Sequence, residues 1–157
     1  MAKIGINLST GSLQKEEIIV GIDLGTTNSL IAIIHPETKQ PTVLKEFDDT
    51  TLVPSIVHFG ANNQITVGNE AKQYLITDPG NTIFSVKRLM GKSYKDVAAA
   101  SQFFTYNIID DGTDNLVKIE VNGKFYTPVE LSSFILKELA VMTIAIARKI
   151  PVNFFIF

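Results

Sequence analysis

The chain has 157 residues, which is room for one ordinary domain, since domains usually span about 100–150 residues. The 14 Lys and Arg residues nearly balance the 16 Asp and Glu residues, and the formal net charge is −2 at pH 7. This balance argues against a nucleic-acid-binding domain, which would carry a basic face. The absence of cysteine excludes a disulfide framework, a thiolate metal site and a cysteine nucleophile, and it is consistent with the reducing cytoplasm.

Residues 1–17 are mixed and polar, and we expect them to form a flexible N-terminal lead-in. They lack the long apolar stretch of a signal peptide. The β-branched runs 18–23 and 29–35 predict two buried strands joined by a tight polar connection, which is typical of a hairpin. Further strands are predicted over 42–47 and 55–59, with Pro54 and Gly60 as breaks.

The middle of the chain alternates between helical and extended patterns. Short helices are predicted over 68–75 and 93–103, and strands over 105–109, 116–121 and 124–126. Asn122-Gly123 suits a type I′ hairpin turn, because both central residues of that turn must tolerate positive φ. Phe103, Phe104 and Tyr106 are predicted core residues.

A helix is predicted to begin at Thr127-Pro128-Val129-Glu130, with Thr as N-cap, Pro at the first helical position and Glu three residues after the cap. Leu131, Phe134, Ile135 and Leu139 follow at core spacing. From 139 to 157 the polar face disappears, and 14 of 19 residues are apolar. Charged residues and a proline interrupt this stretch well short of about 20 residues, so it is not a membrane span. It predicts a core helix and strand without covering partners, which would promote self-association.

The order of strands, helices, a hairpin and a further helix predicts an α/β fold with antiparallel pairing at its start.

The segment from Gly21 to Ser29 contains the residues that we expect to form a binding site. Asp23 ends an apolar strand, Gly25 permits a sharp turn, and Thr26, Thr27 and Asn28 follow.

Backbone N–H groups and two hydroxyls in such a turn can converge on anionic oxygens, and a carboxylate can hold Mg²⁺ directly or through water. An ordinary β-turn with threonine caps is the alternative. An aspartate at the end of an apolar strand favours the functional interpretation, because burial of a carboxylate requires a partner.

Five segments, in order, resemble the DnaK-type chaperones, the heat-shock protein 70 family of the actin-like ATPase superfamily. The segment 21–29 resembles the first phosphate motif and 81–93 resembles the lysine segment. The others are 52–57, 67–72 and 126–139. The amino-acid sequences of 85–93 and of the lead-in are most similar to the iron–sulfur cluster assembly subtype (HscA-like).

This resemblance implies roles for individual residues. Asp23 would position Mg²⁺ and its waters, Thr26 and Thr27 would contact the β- and γ-phosphates, and Asn28 would brace the turn. Lys87 would reach the γ-phosphate and the attacking water, a role that suits a point charge in phosphoryl transfer. Without the resemblance, Lys87 would be interpreted as a solvated surface lysine.

The resemblance also implies the first lobe of an actin-like ATPase, a ribonuclease-H-like fold, over residues 18–139. The implied function is binding and hydrolysis of ATP to ADP with Mg²⁺, coupled to protein folding or iron–sulfur cluster assembly in the cytoplasm. Implied partners are a client protein, a J-domain co-chaperone and an iron–sulfur scaffold protein, with no nucleic acid and no membrane. Two alternatives remain: a kinase of the sugar kinase and actin superfamily, and a catalytically inactive remnant.

The resemblance ends near Ala140, so residues 140–157 are predicted to be a divergent apolar tail. The family's second phosphate loop and adenosine motif were not found, and we expect a truncated or frameshifted reading frame. A half-site of this kind cannot exclude water or pre-organise the γ-phosphate, so little or no turnover is expected from the chain alone.

Overall fold

A computed structural model of the chain describes residues 5–7, 12–14, 18–35, 37–44, 50–110, 112, 115–147 and 152–156. The strands are β1 (Gly5–Asn7), β2 (Ser12–Gln14), β3 (Ile18–Asp23), β4 (Asn28–Ile34), β5 (Pro41–Val43), β6 (Val53–Pro54), β7 (Ile56–Phe59), β8 (Ile65–Val67), β9 (Thr82–Phe84), β10 (Asn107–Ile109), β11 (Lys118–Val121), β12 (Lys124–Tyr126) and β13 (Val152–Ile156). The α-helices are α1 (Tyr74–Thr77), α2 (Tyr94–Val97) and α3 (Pro128–Ala147). This mixture confirms the predicted α/β class.

The largest sheet is built on the predicted hairpin of β3 and β4, which pair antiparallel with Asp23 opposite Leu30. On the far side of β4, β5 and β6 also pair antiparallel, whereas β13 lies parallel to β3 on its other side. The side chains of β3 alternate between the two faces of this sheet. Val20 and Ile22 are buried on one face, and Ile19 and Asp23 are exposed on the other. Of the strand predicted over 42–47, residues 45–47 lie outside the described part of the chain.

Two three-stranded sheets, ordered β8-β7-β9 and β10-β11-β12, complete the described strands together with the hairpin of β1 and β2. The hairpin occupies the predicted lead-in. The predicted helix over 68–75 is a 3-10 turn at Gly68–Ala71 followed by α1, and 93–103 is α2 followed by a 3-10 helix at Ala98–Phe103. The division of the chain at residues 17 and 139 stays a prediction.

The turn between β11 and β12 has positive φ at both central residues, +51° at Asn122 and +72° at Gly123, as the dipeptide predicts. Gly123→Ala is expected to lower the free energy of unfolding by about 1 kcal/mol through left-handed strain alone, because a Cβ there meets nothing within 4 Å. Urea denaturation measures this difference. Gly80→Ala is the matched control, since its Cβ also enters open space but its φ is ordinary. Equal losses in both variants would contradict the strain argument.

The long helix α3 begins at the predicted N-cap. The Glu130 carboxylate accepts a hydrogen bond from the Thr127 backbone N–H at 2.7 Å, and the Glu130 N–H donates to Thr127 Oγ1 at 3.2 Å. Leu131, Ile135 and Leu139 are buried, and the helix packs on β4, β7 and β8. Within the described part of the chain, α3 and the other helices are too short or too polar to cross a bilayer.

The capping box gives α3 a dependence on pH. Hydrogen bonds from the backbone N–H and then the hydroxyl of Thr127 lower the pKa of Glu130 from its ordinary value of 4.5. Because the folded-state pKa is depressed, this stabilisation is present above pH 4.5 and is lost as the pH falls through the folded-state value.

In Glu130→Gln the side-chain oxygen can still accept the capping-box hydrogen bonds, but it has no charge to lose. The melting temperature of this variant is therefore expected to fall less than that of wild type between pH 5 and about pH 3. Lys137→Gln changes the charge by one unit on the exposed part of the same helix and should keep that fall. An unchanged acid limb in Glu130→Gln would contradict the assignment.

Of the three aromatic residues predicted to be in the core, Tyr106 and Phe104 are there and Phe103 is not. Tyr106 is buried, which raises the pKa of its hydroxyl, and this hydroxyl donates to Phe84 O at 2.7 Å. Phe104 packs against the core as well. Phe103, however, is 72% exposed, because it ends the 3-10 helix on the outer side.

Candidate functional site

The candidate site is the connection between β3 and β4, which we call the phosphate loop and define as residues 24–28. Asp23 ends β3 immediately before it, with an exposed side chain. The prediction of a buried carboxylate was therefore wrong: the alternation that buries Ile22 turns Asp23 to the opposite face. An exposed carboxylate at the mouth of the loop needs no protein partner and is accessible to a cation.

Gly25 occupies a place in which no side chain fits. A Cβ at this position would collide with the backbone carbonyl of Asn28, the residue that closes the loop. The loop therefore folds back tightly on itself. Glycine is required at position 25 because there is no space for a side chain, and not because φ is positive. Thr26 is half-buried, while Thr27 and Asn28 are exposed.

Ser55, which was not among the predicted site residues, lies under the loop. Its hydroxyl donates to Gly25 O at 2.8 Å, and its backbone N–H donates to Thr27 O at 2.9 Å. Ser29 Oγ lies 2.9 Å from Ser55 Oγ. The available signal was a polar side chain between the apolar residues of β6 and β7, since a buried hydroxyl requires a partner.

Lys87 reaches the same loop from a segment 63 residues away, where its Nζ donates to Leu24 O at 2.6 Å. Lys87 belongs to a 3-10 helix at Val86–Leu89, in which Val86 and Leu89 are buried. This 3-10 helix contacts α3. Lys87 and the next residue, Arg88, are both exposed, but only Lys87 is directed at the loop. The structure thus brings together Asp23, the phosphate loop and Lys87, the residues that the sequence predicted as one site.

The chemistry of this arrangement suits a phosphate ester with a divalent cation. The Lys87 ammonium has three N–H donors, of which the contact with Leu24 O uses one, and two threonine hydroxyls lie in the loop. Among the described residues, no three His, Cys, Asp or Glu side chains form a metal cluster. Mg²⁺ does not require such a cluster, since it commonly binds one or two carboxylates, phosphate oxygens and water.

Two other features lie apart from this site. His58, predicted as a strand residue, is buried in β7, with Nε2 3.1 Å from the Asp78 carboxylate and its ring stacked on Tyr74 at 3.7 Å. A shallow groove of about 200 Å³ is lined by Tyr94, Ile109, Asn115, Leu116, Lys118 and Phe125. None of the predicted site residues contributes to either feature.

The chain is similar to known proteins over most of its length. The model of the family described as "Hsp70 protein" matches residues 19–150. The chain is also 44% identical over 128 residues to a protein named "Chaperone protein HscA homolog" from Mannheimia succiniciproducens. That match covers 82% of this chain and 20% of the relative, so the chain spans about a fifth of the length of the curated relative that it matches.

Proposed function

The chain belongs to the Hsp70 family, and on this premise we propose that its phosphate loop binds ATP or ADP together with Mg²⁺. The observation that carries the proposal is the contact between Lys87 Nζ and Leu24 O at 2.6 Å. It places a cation beside a loop whose glycine, hydroxyls and carboxylate suit a polyphosphate. Lys87 is exposed, as the alternative of a surface lysine predicts, but its ammonium is directed at the loop and not at bulk solvent alone.

Each site residue has a proposed role. Asp23 would hold Mg²⁺ and its waters, and a bound Mg²⁺ would neutralise charge on the phosphates. Thr26 and Thr27 donate hydrogen bonds to the β- and γ-phosphate oxygens, and Asn28 braces the loop. Lys87 exchanges Leu24 O for a γ-phosphate oxygen and orients the attacking water, which is the positioning that phosphoryl transfer requires.

We propose that the fold is the first lobe of an actin-like ATPase, with a ribonuclease-H-like sheet. The support is the sheet order β13-β3-β4-β5, in which an antiparallel meander is extended by one parallel strand beside β3. The phosphate loop lies at the end of β3, the strand on which both kinds of pairing meet.

For the whole protein we propose ATP hydrolysis coupled to protein folding or iron–sulfur cluster assembly, in the cytoplasm. A client protein, a J-domain co-chaperone and an iron–sulfur scaffold would be its partners. The support is family membership and the relative named as an HscA-type chaperone. The sugar kinase alternative has no support from these matches.

Titration calorimetry with Mg–ATP tests the proposal. The wild-type chain should bind saturably, and Lys87→Ala should weaken affinity about tenfold or more, since charge-assisted hydrogen bonds to phosphate are lost. Arg88→Ala is the matched control, because it removes the neighbouring exposed cation, and it should stay within about twofold of wild type.

Asp23→Asn separates the cation from the phosphate. With Mg²⁺ the variant should lose about tenfold in affinity, whereas in EDTA it should bind ATP no more weakly than wild type, because a repelling carboxylate has been removed. Identical isotherms for wild type, Lys87→Ala and Asp23→Asn would contradict the proposed site.

A further inference from the structure

Ser55 is nearly fully buried, at 2% exposure, and it contacts the phosphate loop through both its side chain and its backbone. The hydroxyl bond to Gly25 O spans 30 residues of sequence, and the backbone bond from Ser55 N reaches Thr27 O. A single residue therefore holds two of the loop's carbonyl groups on the same buried side.

The directions of the hydroxyl hydrogens follow from simple accounting. A serine hydroxyl has one hydrogen, and a carbonyl oxygen can only accept, so the Ser55 hydrogen points to Gly25 O. Ser29, which is 1% exposed, must then donate to Ser55 Oγ at 2.9 Å. The result is a directed chain, Ser29 to Ser55 to Gly25 O, in which each buried hydroxyl has a partner.

Peptide geometry transmits this arrangement to the N–H groups of the loop. In a trans peptide, the N–H points opposite to the preceding C=O. Because Gly25 O and Thr27 O both point to Ser55, the N–H groups of Thr26 and Asn28 point away from it. Backbone N–H groups that are held in fixed directions by a loop can donate to the oxygens of an anion.

We propose that Ser55 is a positioning residue of the nucleotide site, which fixes the loop's N–H donors without touching the nucleotide. Ser29 supports it by filling the acceptor site of its hydroxyl. This inference rests on the proposed nucleotide binding, and it adds that phosphate affinity depends on a buried hydroxyl beneath the loop.

The first test compares two buried serines. Ser55→Ala should weaken Mg–ATP affinity about tenfold, whereas Ser132→Ala should stay within twofold of wild type. Ser132 is the matched control, since it is 3% exposed and its hydroxyl donates to Pro128 O at 2.9 Å within α3, away from the loop. Equal affinity losses in the two variants, or a Ser55→Ala affinity within twofold of wild type, would overturn the proposal.

A second measurement is independent of nucleotide. The exchange protection of the amide of residue 55, whose N–H donates to Thr27 O, should fall in Ser55→Ala and remain unchanged in Ser132→Ala. If the wild-type chain binds no Mg–ATP, the proposed function fails. The exchange data then still decide whether Ser55 holds the loop, and unchanged exchange in Ser55→Ala would overturn its positioning role.

If Ser55→Ala does not fold, Ser29→Ala provides a second variant for the same two measurements. It removes one donated bond and leaves the contact between Ser55 and Gly25 O. About a threefold loss of affinity and a smaller acceleration of exchange are expected. Wild-type values of both quantities would contradict the hydroxyl chain.

Discussion

Replacing Gly25 by alanine is expected to lower the free energy of unfolding by about 2–3 kcal/mol and to remove measurable Mg–ATP binding. The added Cβ would collide with the carbonyl of Asn28, which is backbone and cannot rotate away as a side chain would. Relief requires the loop to open, and opening moves Gly25 O away from the Ser55 hydroxyl. Stability and binding should therefore fall together.

Urea denaturation and calorimetry on the same preparations measure both quantities. Gly80→Ala is the control, since a Cβ there has nothing within 4 Å, and it should change unfolding by less than about 0.5 kcal/mol. A Gly25→Ala chain with wild-type stability would show that the loop is wider than the structure describes.

Leu131→Ala is expected to cost about 2–5 kcal/mol of stability, which is comparable with the whole stability of many domains. Leu131 has no exposed surface, and its helix contacts β4, β7 and the 3-10 helix that carries Lys87. Truncation of this buried side chain leaves a cavity beneath α3. Thermal or urea unfolding should show a loss of this size.

Val129→Ala provides the comparison for Leu131→Ala. Val129 lies two residues earlier on the same helix and is 67% exposed, so its truncation should cost less than about 0.5 kcal/mol. Similar losses in both variants would mean that α3 does not bury the face that the structure assigns to it.

Local signals in the sequence were sufficient for several elements. The β-branched run at 18–23, the Asn122-Gly123 turn and the Thr127 cap each specify their structure within a few residues, and all three are present. Strand β9 and the pairing partner of β13 could not be predicted in this way, because pairing depends on which distant edge is free.

The same distinction applies to the site. The composition of residues 23–28 predicted a phosphate loop, since a close turn, hydroxyls and a carboxylate leave a local pattern. The exposure of Asp23 was predicted wrongly, although strand alternation from Val20 and Ile22 contained the answer. Ser55 was missed because a single serine in an apolar segment does not reveal which carbonyl it will meet.

The sequence by itself determined the strand at 18–23, the Asn122-Gly123 turn, the start of α3 and the kinds of side chain that the loop carries, because turn residues, caps and strand periodicity act over a few neighbouring residues. Only the tertiary structure decided that Ser55 and Lys87, which make their contacts across 30 and 63 residues of sequence, meet at the loop. Lys87 depends on a left-handed Ser85, with φ of +54°, and on the burial of Leu89. Such contacts follow from how β7, α3 and the main sheet pack together, and burial of apolar surface, which has no direction along the sequence, sets that packing.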